Sequence, residues 1–580
     1  MAEGSPNSDL LSDGDIVGGM HLTRRLLLAD GLRIGLGSVL ASALPRKVLA
    51  FSNATTGSMR AIARPSDAQF AWQRLELGMF VHLGPQTWQG TQVDNGTTPA
   101  AAIDPKYLNT DQWARVAVSL GARYIVFVAK HEGGFCMWPT TTTEYCIRNS
   151  PWQGGKGDVL RDIAASCRRH GLKLGVYVSP RDNHEGAGVG GVCSTPQQQA
   201  RYNALYRRQL TEVFTHYGPM VEIWFDGSTV TPVGDLLRKY QPGAVIFQGP
   251  NATIRWVGNE NGFAPYPCWN GIQAAEAKSG TATALDGDPN GSVWMPNEAD
   301  VSIRRPDWFW NPRNEHRVLT QEQLLSVYYR SVGRGAQMLL NIPANTDGLL
   351  PDADARAAAA FGREIKRRFS QPLAETHGTG NQVTLPLPQP AKIDTIVLEE
   401  DTRLGERIRE YRLEGKQSDG WHPLGTGLSV GNKRIQCVSP VTVTAVRFVA
   451  TRSAGTAALR RLAVFRTDAP PPPGWDQPAE AWAPNLAGSW DNHSFSLDLT
   501  KQITAAAQYQ LRFIPLGGAV TALRDVTLRL NHVASPAYVS YSASRPDRLL
   551  LDMTSVGDTV QLTGTVDGAA RGQVIVQKLG

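Results

Sequence analysis

Residues 221–227 read Val-Glu-Ile-Trp-Phe-Asp-Gly, a short apolar strand that ends in Asp226 and breaks at Gly227. A carboxylate at the end of a buried strand is poorly placed for a core and well placed for a catalytic cleft. The construction recurs. The apolar stretch Gly78–Val81 ends in His82, residues 124–130 (YIVFVAK) end in His131, and residues 173–178 (KLGVYV) end in Ser179-Pro180-Arg181-Asp182. Glu260 in RWVGNE and Glu298 in WMPNEAD stand on segments that read as loops. Carboxylates and imidazoles at successive strand ends are groups that acid–base and nucleophilic chemistry uses, and they suggest one shared site. Each has a plainer reading. Asp-Gly is a common turn, a lone histidine is more often structural, and most glutamates are simply solvated.

The elements that must position these groups alternate between helix and strand from about residue 66 to 365. Asp111–Leu120 carries Trp113, Val116, Ala117 and Leu120 on one face, and Asp158–His170 carries Val159, Ile163 and Cys167. Ala200–Tyr217 carries Tyr202, Leu205, Tyr206, Val213 and Tyr217. Gly121, Gly171 and Gly218 follow these three helices, where a left-handed cap is wanted. Asp235–Tyr240 precedes a strand at Ala244–Phe247, and Gln321–Arg330 precedes one at Gln337–Ile342. Repeated helix–strand units mean a parallel sheet, and a run of about 300 residues fits a (β/α) TIM-like barrel better than an open sheet. No Gly-rich phosphate fingerprint follows any of the strands, which argues against a nucleotide-binding fold.

After residue 370 helical periodicity gives way to short alternating stretches: Gln382–Leu387, Ile393–Glu399, Glu410–Gly415 and Val441–Val449. They read as a β-sandwich over 369–467. The run Ala469-Pro470-Pro471-Pro472-Pro473-Gly474 is an extended linker (468–475), and residues 476–580 read as a second all-β domain.

A composition of 42% hydrophobic and 19% charged residues is ordinary for a globular protein, and a net charge of +6 over 580 residues gives no reason to expect nucleic acid as a partner. Six cysteines without C-x-x-C spacing make neither a disulfide scaffold nor a zinc site. Cys136 and Cys146 are close enough in sequence to pair, which proximity alone does not establish. The scattered aspartates show no metal-ligand spacing, and no metal or cofactor is expected. Residues 1–50 contain Arg24-Arg25, a mildly apolar stretch and Val48-Leu49-Ala50, which read as a twin-arginine export signal followed by a linker at 51–65. The apolar stretch holds Asp30 and Arg33 and is too short for a membrane span, so the mature chain is expected in the periplasm or outside the cell.

With the strand ends laid out, the chain resembles the α-L-fucosidases of glycoside hydrolase family 29. ELGMFVHLGPQTWQG (76–90), DPKYLNTDQWARVAVSLGARYIVFVAKHEGGFCMWPT (104–140), GLKLGVYVSPRD (171–182) and LTEVFTHYGPMVEIWFDG (210–227) carry the resemblance in order. RWVGNENG (255–262), DVSIRRPDWFW (300–310) and GAQMLLNIPANTDGLL (335–350) continue it, so it covers 66–365 almost without a gap and implies a catalytic barrel over 66–368. IDTIVLEEDTRLGERIREYRLEG (393–415) looks like the discoidin-like sandwich that follows the barrel in many of these enzymes. The resemblance implies a retaining exo-glycosidase that acts on a fucosylated oligosaccharide or glycoconjugate. RWVGNE and the sandwich imply the branch preferring α-1,3/1,4-linked fucose.

The same resemblance assigns roles. Asp226 matches the nucleophile and Glu260 the acid/base, with Glu298 held in reserve and expected to line the leaving-group side. His82 and His131 match hydroxyl-binding histidines. Tyr177 and Trp224 lie next to the chemistry or in the barrel core. Trp88 and Trp138 are loop aromatics suited to a sugar face or the methyl group, or to packing between loops. Two positions depart from the family pattern. His-His-Asp-Gly-Phe is here His131-Glu132-Gly133-Gly134-Phe135, and Ser-Pro-Trp is Ser179-Pro180-Arg181. Two rival readings stay open, a fucose-binding protein without turnover, motivated by Glu132 and the two β-domains, and a retaining hydrolase for another α-glycoside. Retention of Asp226 and Glu260 counts against the first. The glycine-rich run Asn183–Ser194 reads as a mobile loop at that rim.

Overall fold

In the computed structural model, residues 62–476 and 486–579 are described, apart from 505, 516–519, 542–545 and 554. The expected export signal at 1–50 and all but the end of the linker after it lie outside the described residues.

Eight parallel strands build the barrel. They are β1 Leu77–Val81, β2 Tyr124–Lys130, β3 Lys173–Val178, β4 Met220–Trp224, β5 Val245–Phe247, β6 Arg255–Trp256, β7 Asn297–Ser302 and β8 Gln337–Asn341. Their order in the sheet is β5-β4-β3-β2-β1-β8-β7-β6, and a parallel bridge between Phe247 and Ile254 nearly closes the ring. The strands are almost uniformly apolar because both faces are covered. Met79, Val81, Ile125, Phe127, Val176 and Val178 pack outward with the helices, and alternate residues Phe80, Val126, Val128, Tyr177, Trp224 and Phe247 form a separate interior core. Gly78 belongs to this arrangement for a steric reason: a Cβ there would stand 2.3 Å from the Tyr124 ring, which fills the barrel floor.

The helices sit where the periodicity places them, with local caps at their ends. Asn109, Asp158 and Thr195 accept hydrogen bonds from the first turns of Thr110–Leu120, Val159–Arg169 and Pro196–His216. The third begins four residues earlier than expected from its apolar stripe, because Thr195-Pro196 supplies an N-cap and a proline at the first helical position. A helix at Asp352–Phe369 covers the end of the barrel chain. Among the described residues only a single-turn α-helix, Ala274–Ala277, lies between β6 and β7. Residues 257–296 make an excursion that includes the small hairpin of Gly271–Ile272 with Val293–Trp294. Among the described residues no helix is long and apolar enough to cross a membrane. Cys136 and Cys146 lie across a bridge from one another as free thiols.

After the barrel, six strands register as one antiparallel sheet over Ala374–Phe465. Two stretches expected as separate strands are one, Gln382–Glu400, with a register shift between Pro386 and Ala391. Pro386, Pro388 and Pro390 cannot donate to the ladder, so pairing lapses there while the backbone stays extended. Such shifts bend long strands and let both halves face one apolar core, which runs from Val383 to Val464. The last sheet has nine antiparallel strands between Leu486 and Leu579. It docks on the β6–β7 excursion, where Arg512 donates to Asp286 at 2.9 Å and to the Leu285 carbonyl.

Candidate active site

The polar groups that end the strands converge at the carboxyl end of the barrel, the usual location of chemistry in this fold. Asp226 follows β4, and the chain then turns through two left-handed residues, Gly227 (φ 73°) and Ser228 (φ 74°). Gln248, just after β5, accepts the Gly227 N–H at 2.7 Å and fixes the turn. The carboxylate that results is open to solvent yet ringed by protein, and Tyr177 Oη of β3 donates to its Oδ2 at 3.0 Å. Loss of surrounding water pushes its pKa up from the ordinary aspartate value, and the Tyr177 and Gly227 hydrogen bonds resist that shift.

His82 and His131 stand side by side with ring centroids 5.9 Å apart. Phe309 presents its face edge-on to both at 5.1 Å, and Tyr177 stacks on His131. Both imidazoles are held neutral. Burial and then the neighbouring His131 drive the His82 pKa far down, and burial and then Arg181 bring His131 to about 3. Their partners set different tautomers. Asn341 Nδ2 donates to Ser302 Oγ and to the Trp308 carbonyl, which turns its Oδ1 toward His82 Nδ1 at 2.8 Å. His82 therefore carries its proton on Nδ1 and offers Nε2 as an acceptor. Gln86 Nε2 donates to His131 Nδ1 at 3.0 Å, which leaves His131 with an Nε2–H donor. One acceptor and one donor side by side match a pair of sugar hydroxyls.

Glu260 lies beyond β6, exposed at the same mouth. Burial of its surroundings raises its pKa, the Trp308 indole opposes the shift by hydrogen bonding, and the Asp226 charge adds to it. The two carboxylates thus act on one another across one cleft. A third carboxylate joins them. Asp300 of β7 is buried, accepts from the Trp256 indole, and is pushed well above the ordinary range, first by burial and then by Glu260. Asp300, Trp256, Trp308 and Phe309 were not among the residues singled out from the sequence. Their signal is the period-two spacing of Glu298 and Asp300, which is visible only if 297–302 is read as a strand.

That reading also corrects the place of Glu298. It is not on a loop but within β7, fully buried inside the barrel, where Tyr124 Oη donates to it at 3.2 Å. Glu222 of β4 lies beside it and is held by the indoles of Trp72 (2.6 Å) and Trp224. Burial first and the Glu222 charge second push the Glu298 carboxyl far above the ordinary range. A group in the barrel floor cannot line the leaving-group side of the mouth. The pair instead holds Trp224, which stacks at 3.6 Å on Phe247 under the site. Trp138 is corrected too. Only 1% exposed, it sits in the outer core and donates to Glu212 at 2.8 Å. Trp88 lies on a short helix, Pro85–Gln89, half-buried against that same core, not on a loop.

Buried ion pairs lock the loops that carry the site. Lys130, the last residue of β2, bonds Asp182 at 2.8 Å with both side chains buried, and Tyr202 and Gln209 complete its shell. Arg304 grips Asp354 through two bonds and so fixes the loop leading to Trp308 and Phe309. At the start of the run read as a mobile loop, Asn183 N–H donates to the Glu132 carbonyl at 2.9 Å and Asn183 Nδ2 to the Asp94 carbonyl at 2.7 Å. Lys130→Met is expected to destabilise the fold by about 3–5 kcal/mol, because Asp182 is left buried and unpaired. Urea denaturation measures this, and a loss below about 1 kcal/mol would show that the pair holds nothing.

Comparison with known proteins follows this geometry closely. A family model described as alpha-L-fucosidase matches residues 97–368. The chain is 33% identical over 457 residues to an α-L-fucosidase 1 of Oryza sativa subsp. japonica, spanning 71% of this chain and 86% of that one. It is 31% identical over 420 residues to α-L-fucosidase 1 of Arabidopsis thaliana, spanning 64% and 81%. A crystal structure of a Bacteroides thetaiotaomicron VPI-5482 protein named as an α-L-fucosidase superposes with a TM-score of 0.66 at 32% identity, covering 70% of this chain and 99% of that one. A Ruminococcus gnavus family 29 fucosidase solved in complex with fucose superposes with a TM-score of 0.63 at 26% identity, covering 71% and 97%.

Proposed function

The chain belongs to the α-L-fucosidase family of glycoside hydrolases, and from that premise we propose that it removes terminal α-1,3/1,4-linked fucose from glycans by double displacement with retention. The carrying observation is the electrostatic contact of Asp226 with Glu260 across one open cleft, each with its own hydrogen-bond donor. Retaining hydrolysis needs two carboxyl groups about 5–5.5 Å apart, one nucleophilic and one acidic. Asp226 attacks the anomeric carbon. Tyr177 keeps its carboxylate oriented and damps the upward push of burial. Glu260, raised toward the acid form, protonates the departing oxygen and then takes a proton from the water that releases fucose. His82 and His131 hold sugar hydroxyls through one acceptor and one donor nitrogen. Trp224, under the site, and the half-buried Trp308, 5.4 Å from His82, supply apolar walls for the methyl group.

The linkage preference rests on the RWVGNE segment, which carries Glu260, and on the β-rich region after the barrel. The twin-arginine reading of residues 1–50 supports export of the folded enzyme, where extracellular glycans are within reach. A panel of α-1,2- and α-1,3/1,4-fucosylated oligosaccharides tests the specificity. Fucose release from the branched substrates should exceed release from the α-1,2 series by at least about tenfold, since a misplaced aglycone costs 1.4 kcal/mol or more. Proton NMR of the first-formed sugar should show α-L-fucose. Initial β-L-fucose would exclude double displacement.

A further inference from the structure

Resting on the fucosidase reading, we propose that the Glu132–Arg181 ion pair is a specificity element that reads two adjacent hydroxyls of the bound sugar, one donating to Glu132 Oε1 and the other accepting from Arg181 Nη2. These are the two positions at which the chain departs from the family pattern, and the fold brings them together. Arg181, after β3, bonds Glu132 Oε2, after β2, through Nη1 at 2.6 Å. Its Nε donates to Asn183 Oδ1 at 3.0 Å, so the guanidinium plane is fixed on two sides. Neither Arg181 Nη2 nor Glu132 Oε1 has a protein partner among the described residues. The pair remains partly open, with side-chain exposures of 36% and 16%.

Its place is the mouth of the site. Glu132 lies within electrostatic reach of Asp226, and Arg181 within reach of His131. A purely structural role is already filled, because the buried Lys130–Asp182 pair joins the same two loops, two residues before Glu132 and one after Arg181. A half-open ion pair adds little to stability. What it does offer is a charged acceptor and a charged donor side by side, in a rigid fork. Hydrogen bonds from neutral hydroxyls to charged groups are the strong ones, and fucose presents three adjacent hydroxyls. Arg181 also neutralises Glu132, which would otherwise repel the attacking carboxylate.

The test is a titration of the full-length wild type and of Glu132→Gln, Arg181→Met, Arg181→Lys and the Glu132→Gln/Arg181→Met double variant. The ligands are L-fucose and its 2-, 3- and 4-deoxy analogues, read by tryptophan fluorescence. In the wild type, two adjacent deoxy analogues should bind about 10- to 100-fold more weakly than fucose, the range of a charged hydrogen bond. In Glu132→Gln and Arg181→Met that ratio should fall below about threefold, the double variant should match the singles, and Arg181→Lys should recover part of it. Thermal melts confirm that each variant is folded. Unchanged ratios in folded variants, or no fucose binding by the wild type, overturn the proposal. Hydrolysis of 4-nitrophenyl α-L-fucoside, measured in parallel, reads the family assignment by itself. Turnover with unaltered discrimination sinks the pair's role alone, and discrimination without turnover sinks the hydrolase reading alone.

Discussion

Asp226→Ala is expected to lower kcat on 4-nitrophenyl α-L-fucoside by at least about 10⁴-fold while the protein stays folded. The size follows from what is removed. Without the carboxylate no covalent intermediate forms, and binding and acid catalysis together recover only a small part of the rate. The folding half follows from its surroundings. The carboxylate is open to solvent, and Tyr177 is its one side-chain hydrogen-bond partner among the described residues, so truncation buries no orphaned charge. The vacated space also allows rescue. Sodium azide should restore turnover of the aryl fucoside and yield a fucosyl azide of inverted configuration, because the small anion enters where Oδ1 and Oδ2 stood. A loss below about tenfold would remove Asp226 from the nucleophile's role. Attention would then pass to Asp300, the other carboxylate that the Glu260 charge reaches.

Most of the barrel could be read from the chain because its parallel strands are short uninterrupted apolar runs bounded by glycine, and its helices carry one clean apolar stripe. Asp226, His82 and His131 were legible for the same reason, as polar residues that terminate apolar strands. Two strands failed, the two-residue β6 inside RWVGNE and β7. Asn297-Glu298-Ala299-Asp300 does not look like a buried strand, since its inward positions are carboxyls. Glu298 can sit there only because Glu222, Tyr124 and two indoles absorb it, and those partners lie 74 to 226 residues away in sequence. No local pattern records such a network. The same blindness hid Asp300 and left Trp138 open between a sugar contact and packing, although its indole is matched by Glu212 from a distant helix. The neutrality of the two histidines is likewise a property of burial rather than of residue type.

The acid limb and the alkaline limb of the pH profile should separate these carboxylates. In the free enzyme, kcat/KM falls on the acid side as Asp226 takes up a proton and on the alkaline side as Glu260 loses one. Both groups are raised above their ordinary values, so the whole bell is displaced upward from that of an unperturbed aspartate–glutamate pair. The two limbs belong to the interacting pair, because each charge raises the cost of the other. Glu260→Gln keeps the shape and the Trp308 contact but cannot release a proton. It should abolish the alkaline limb, retain the acid limb, and lower kcat on fucosylated oligosaccharides by about 10²–10⁴-fold. On 4-nitrophenyl fucoside the first step needs no acid, so a burst of nitrophenol should precede slow steady turnover, and azide, which needs no base, should accelerate that second phase. Persistence of the alkaline limb in Glu260→Gln would place the proton elsewhere. Asp300 is then the group to test, since its carboxyl is driven further up than that of Glu260 and its indole partner Trp256 stands on the strand that leads to Glu260.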